Sequence, residues 1–134
     1  MAEKPLEWLG TSQSVLRGFP EDVKDVMGYA LHVAQNGGKA DTSKPLTHIV
    51  KGGKIFEVLD DYDGDTYRAV YTVKFAKAVY VLHAFKKKSK KGIATPNSVI
   101  DVIKSRYKIA ENHHNATYIK KRSSLDGSKK VKGD

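Results

Sequence analysis

Residues 54–75 read Lys54-Ile55-Phe56-Glu57-Val58-Leu59-Asp60-Asp61-Tyr62, then Asp63-Gly64, then Asp65-Thr66-Tyr67-Arg68-Ala69-Val70-Tyr71-Thr72-Val73-Lys74-Phe75. Two runs rich in β-branched and aromatic residues flank an Asp-Gly pair, the dipeptide that best supplies the two positive-φ positions of a tight hairpin. The spacing predicts strands over 54–62 and 66–75, joined by that turn. Successive side chains of a strand point to opposite faces. Tyr67, Ala69, Tyr71, Val73 and Phe75 therefore share one face, expected to be buried against helices. Thr66, Arg68, Thr72 and Lys74 share the other, interrupted by Val70 and expected to be at least partly wet. A third strand, Ala78 to Lys87, is apolar on both faces, as an interior strand should be.

Working outward, Leu6 to Leu9 is a short strand candidate stopped at Gly10. Thr11, Ser12 and Ser14 offer oxygens to cap a helical turn through Leu16. Phe19-Pro20-Glu21-Asp22 starts a longer helix, with proline in the first turn and acids at the positive dipole end. Val23, Val26, Met27, Ala30, Leu31 and Ala34 line one face of it, and Gly37-Gly38 ends it. Thr95-Pro96 opens a last helix whose buried stripe is Ile100, Ile103, Tyr107 and Ala110. Residues 123–134 are Ser, Gly, Lys and Asp in the main and are expected to form a disordered tail. The prediction is an α+β domain over residues 1–122, with N-terminal helices, an antiparallel meander and a closing helix.

The composition narrows the function classes. At 134 residues there is room for one core. The absence of cysteine excludes disulfides and thiolate zinc sites and suits a cytoplasmic setting. No signal-peptide pattern opens the chain, and Ala78 to Phe85 is far short of the roughly 18 apolar residues a membrane helix needs. Residues 1–65 hold 7 Lys/Arg and 11 Asp/Glu, a balance of −4, whereas residues 66–134 hold 17 and 4, a balance of +13. Such asymmetry points to a polyanion met by the C-terminal half, nucleic acid first. An anionic membrane would call for a basic amphipathic helix with a broad apolar face, which is absent.

Several segments, in order, resemble the RelE/ParE superfamily of toxins, in particular its HigB-like, phage-derived branch. They are Lys4-Pro5-Leu6-Glu7-Trp8-Leu9-Gly10, Phe19-Pro20, Lys44-Pro45-Leu46, Tyr67-Arg68-Ala69-Val70-Tyr71, Val81-Leu82-His83-Ala84-Phe85-Lys86-Lys87-Lys88-Ser89 and Thr95-Pro96. The resemblance spans roughly residues 4–110. It implies a RelE-like fold, two N-terminal helices on a mainly antiparallel four-stranded sheet. It also implies an endoribonuclease toxin cutting messenger RNA on the ribosome without cofactor or metal. The implied partner is a helix-turn-helix, HigA-like antitoxin, through which alone operator DNA would be met. At one point the pattern departs: Glu57-Val58-Leu59 stands where the family often has Glu-hydrophobic-Arg. A non-catalytic binding toxin of the gyrase-poisoning kind, or a nucleic-acid-binding module, is the alternative.

Cutting RNA without metal uses the neighbouring 2′-hydroxyl as nucleophile, so the protein must orient the attack and neutralise charge on the phosphoryl oxygens. Arg68, in the position of the family's Tyr-Arg motif, is the leading candidate because its planar fork matches two phosphate oxygens. Its structural alternative is a pair with Glu57 or Asp60 on the adjacent strand. Lys86 and Lys87 are further catalytic candidates. Lys88, Lys90, Lys91 and Lys74 are candidates for phosphate binding, against the plain reading of a solvated strand end. His83 and Glu57 are the candidates for proton transfer, although His83 also reads as a hydrogen-bonded core histidine and Glu57 as an ion-pair partner. His113-His114 form a second, weaker acid/base candidate. Trp8, Tyr62, Tyr67 and Tyr71 could stack on bases, but alternation puts Tyr67 and Tyr71 in the core first.

Overall fold

The computed structural model describes residues 3–87 and 96–119. The expected tail at 123–134, the capping Thr95, and Lys88, Lys90 and Lys91 lie outside the described residues. In chain order the elements are β1 (Leu6–Trp8), α1 (Ser12–Arg17), α2 (Glu21–Gln35), β2 (Ser43–Pro45), β3 (Ile55–Tyr62), β4 (Asp65–Thr72), β5 (Val79–Lys87) and α3 (Asn97–His114). A π-helical turn, Asn115–Ile119, follows α3.

The Asp-Gly hairpin forms as its residues require: Asp63 and Gly64 have φ of 51° and 85°, and β3 and β4 pair antiparallel from Tyr62 opposite Asp65 to Ile55 opposite Thr72. Among the described residues the sheet, however, has five strands in the order β1-β5-β4-β3-β2, not four. Its one parallel pair sets Leu6 opposite Val79 and Trp8 opposite Val81. A three-residue strand carries too little local pattern to reveal a partner so far along the chain. The α+β class and the mainly antiparallel meander hold, β2 to β5 pairing antiparallel in chain order; β1 is the added strand.

Helices cover both faces. On one, Val23, Met27, Ala30 and Leu31 of α2 and Leu16 of α1 pack on Val58, Ala69, Tyr71, Val79 and Val81. On the other, Ile103 and Ala110 of α3 pack with Ile55, Val70, Tyr80 and Leu82. Each large apolar side chain so enclosed contributes about 1.5–3 kcal/mol of transfer free energy. The face expected to be wet is therefore a second core, and Arg68 and Thr72 on it are buried. Phe75 also joins this second core, away from Tyr67 and Tyr71. The cause is that β4 ends at Thr72; Val73 N–H reaches Lys54 O and Lys74 N–H reaches Thr72 Oγ1, so strand alternation stops there.

One irregularity positions everything that follows. Tyr71 lies opposite Val81, but Val70 lies opposite His83, so Leu82 is an extra residue in β5. A bulge of this kind shifts the parity of every side chain beyond it. Val79 and Val81 face the α2 core, and Leu82 faces α3. Beyond the bulge, His83, Phe85 and Lys87 stand opposite Val70, Arg68 and Thr66 on the α3 side. The N-caps differ from expectation too. No side chain caps α1; Thr11 O instead accepts bonds from Ser14 Oγ and Val15 N–H. Pro20 and Pro96 occupy the residue before α2 and α3 rather than the first turn.

Candidate functional site

Arg68 and Glu57 meet as a buried pair. Arg68 Nη1 lies 3.1 Å from Glu57 Oε2, and the two residues are 4% and 5% exposed. The arginine expected on a wet face thus sits inside the protein, in the cross-strand partnership that was its structural alternative. The physical reason is the cover that α3 and residues 46–53 give to this face, which leaves a charge there needing a counter-charge. Glu57, the other candidate for proton transfer, is thus the partner of Arg68.

Phe85 separates this pair from a second group nearer the surface. The Arg68 guanidinium carbon is 6.0 Å from the Phe85 ring centre, and the Phe85 ring stacks on His83 with centroids 5.1 Å apart. His83, partly exposed, takes a hydrogen bond at Nδ1 from Arg106 Nη1 at 3.1 Å, and the same Nη1 donates to Leu82 O at 3.0 Å. A guanidinium has donors only. Nδ1 must therefore be unprotonated, and the ring proton sits on Nε2. Burial first, and the Arg106 charge second, push the His83 pKa below the ordinary imidazole value, which keeps the ring neutral. A neutral ring with Nδ1 occupied offers a hydrogen-bond donor and no free acceptor.

Lys87 stands on the same face as His83 and Phe85, opposite Thr66. Lys86 points to the other face, 3.6 Å from Asp65 Oδ2 and 6.0 Å from the Tyr67 ring centre. The two candidate lysines are therefore separated by the sheet. Lys74 is exposed just past β4, in the connection to β5. Tyr67 and Tyr71 are core residues; Trp8 packs partly buried beside them, and Tyr62 is the more open ring.

The two adjacent histidines support the second core. His113 Nδ1 lies 2.7 Å from the Tyr80 hydroxyl, while His114 Nε2 accepts Lys77 N–H at 3.1 Å. Tyr118 donates to Glu7 Oε2 at 2.5 Å, tying the end of the last helix to β1. Burial, His113 and Lys77 together lower the His114 pKa. Among the described residues, no group of three or more His, Asp or Glu side chains could hold a metal ion, and no helix is long and apolar enough to cross a membrane. A groove of about 450 Å³ between α2 and Lys39–Thr42 lies on the opposite side of the sheet from His83.

Arg106 is the residue that sequence reasoning missed. On a helix that also carries Lys104 and Lys108, one more cation reads as solvated surface. Its nearness to His83 depends on the bulge, which no local pattern announces.

No curated protein matches the chain. Among solved structures it is similar to a chain of the toxin–antitoxin complex RelBE2 from Mycobacterium tuberculosis, at 17% identity and a TM-score of 0.43, covering 66% of this chain and 97% of that one. Residues 14–108, which run from α1 into α3, match the family described as phage derived protein Gp49-like (DUF891), in keeping with the phage-derived branch read from the sequence. The chain belongs to this Gp49-like family.

Proposed function

We propose that this chain is the toxin of a toxin–antitoxin pair and an endoribonuclease that cuts messenger RNA, on the ribosome, by attack of the 2′-hydroxyl. The observation carrying the reading is the group on one face of β5: His83 as a fixed Nε2–H donor, the Arg106 guanidinium against it, Phe85 beside it and Lys87 one register step along. Donors fixed in advance are what a phosphoryl group gathering charge requires. The 2′-hydroxyl passes its proton to solvent water as its oxygen bonds to phosphorus, and His83 and Arg106 stabilise the phosphoryl oxygens while the bond to the 5′-oxygen breaks. Lys87 donates a proton to the leaving 5′-oxygen. Phe85 offers a ring on which a base or ribose can rest. Lys86, Lys74 and the lysines at 88, 90 and 91 track phosphates along the bound strand. Arg68 acts from behind Phe85 through its charge and by holding Glu57. The cognate antitoxin is a helix-turn-helix protein of the HigA kind, the setting is cytoplasmic, and operator DNA is met through the antitoxin.

Expression of the chain alone in bacteria, with transcript ends mapped during growth arrest, tests this. New internal ends bearing 2′,3′-cyclic phosphates support the reading. Products ending in a 3′-hydroxyl would exclude attack by the 2′-oxygen. One observation favours a second reading, a toxin that binds without cutting: the motif arginine is held by Glu57 inside the protein. Growth arrest with intact transcripts and broken DNA would select it.

A further inference from the structure

The turn after β1 reaches the candidate site from the side. Gly10 has φ of 54°, and a Cβ on it would stand 2.5 Å from Arg106 Cζ and Nη2 and 2.8 Å from Nε. The guanidinium thus lies directly against bare backbone. The turn is itself tied down: Leu9 N–H donates to Val81 O at 3.0 Å, Ser12 Oγ donates to the same oxygen at 3.3 Å, and Ser12 N–H donates to Leu9 O at 3.1 Å. Val81 immediately precedes the bulged Leu82. The Gly10 backbone, the Leu82 carbonyl and His83 Nδ1 therefore form one frame around a single guanidinium. One side supplies a seat, and the other supplies acceptors for both hydrogens of Nη1.

We propose that Gly10 is a positioning residue: lacking a side chain, it seats the Arg106 guanidinium, and through Arg106 it holds His83 as an Nε2–H donor. A side chain at position 10 displaces Arg106 rather than the turn, because the arginine is the flexible partner and the turn is fixed by three hydrogen bonds. The charged groups around His83 are Arg106 from α3, Lys87 on its own strand and, beyond Phe85, Arg68 with Glu57 from β4 and β3. With Arg106 displaced, the nearest of these cations is gone and Nδ1 is free to take a proton. The effect on cleavage rests on the function proposed above; the effect on His83 does not.

The test uses Gly10→Asn, since asparagine tolerates positive φ and so separates the added Cβ from backbone strain. Arg106→Ala and the double variant complete a cycle. Gly37→Asn is the control, a positive-φ glycine (φ 90°) with nothing within 4 Å of its would-be Cβ. Histidine-ring ¹⁵N NMR across pH reads protonation at each His83 nitrogen without substrate, and melting curves report folding. In the unmodified protein, Nε2 should be protonated and Nδ1 should show a hydrogen-bonded acceptor. Gly10→Asn and Arg106→Ala should each remove that signature and raise the His83 midpoint toward the ordinary imidazole range. The double variant should match Arg106→Ala, and Gly37→Asn should match the unmodified protein. Cleavage by Gly10→Asn should fall about 10²-fold in kcat with KM little changed. Unchanged His83 resonances in Gly10→Asn, or a double variant worse than the sum of its parts, would overturn the assignment. Altered resonances with undiminished cleavage would keep Gly10 as the seat of Arg106 and remove His83 from the chemistry.

Discussion

Removing the Arg68 guanidinium should unfold much of what the fold has gained. In Arg68→Ala the Glu57 carboxylate is left 5% exposed in a face otherwise lined by Val70, Leu82 and Ile55, with its 3.1 Å partner gone. Breaking one side of a buried pair typically costs about 3–5 kcal/mol, because the surviving charge is neither solvated nor neutralised. Against a total stability of about 5–15 kcal/mol, that is roughly a fifth or more of the whole. At roughly 3–5 °C per kcal/mol for a domain of this size, the melting temperature should drop by about 10–20 °C. The joint replacement Glu57→Leu with Arg68→Met removes both charges and keeps the volume, so it should recover most of the loss. Thermal and urea unfolding of the two variants, followed by circular dichroism, make the comparison. Arg68→Ala melting within about 3 °C of the unmodified protein would refute the reasoning and return Arg68 to the list of residues free to act on a ligand.

Three further outcomes are expected. Tyr118 has its pKa pushed up to about 12, first by donating to Glu7, so its contribution is complete below pH 10 and lost as pH climbs through about 12; Tyr118→Phe should melt lower at neutral pH and show a flatter alkaline decline. His114, buried with a lowered pKa, favours the native state above the ordinary value of 6.5, and that stability is lost as pH falls below it; His114→Gln, which keeps an acceptor for Lys77 N–H, should lose acid stability less steeply in pH-dependent melts. Lys74→Ala should leave melting unchanged and reduce the salt dependence of RNA binding by about one unit of log–log slope.

The parts legible in the sequence were those with a local cause. The Asp63-Gly64 turn, the apolar stripe from Val23 to Ala34 and the one from Ile100 to Ala110 each declare themselves within a few residues. What stayed hidden depends on residues far apart. The extra residue at Leu82 alters which side chains meet α3, yet Val81-Leu82-His83 reads as unbroken strand. The pairing of Leu6 with Val79 leaves no mark on either segment. Arg68 was placed on the right strand and beside the right glutamate, but alternation alone cannot say whether a second layer covers that face. The Lys86–Lys87 split across the sheet follows from period-2 alternation and was legible. The Arg106–His83 contact was not, because it joins a helix to a strand at a register that the bulge decides.

The pairing of β1 with β5 also sets a clock on synthesis. Leu6 and Trp8 leave the ribosome early, but the strand that receives them begins at Val79, and the guanidinium that rests on Gly10 comes only with residue 106. Contacts separated this widely must close a long loop before they return any free energy, so they form late and slowly. A growing chain that has reached only the hairpin can hold the α2 helix, but has nowhere to dock its first strand and no arginine to set His83. The frame that sets Arg106 between Gly10 and His83 is therefore incomplete until residue 106 has been made, long after β1 has emerged.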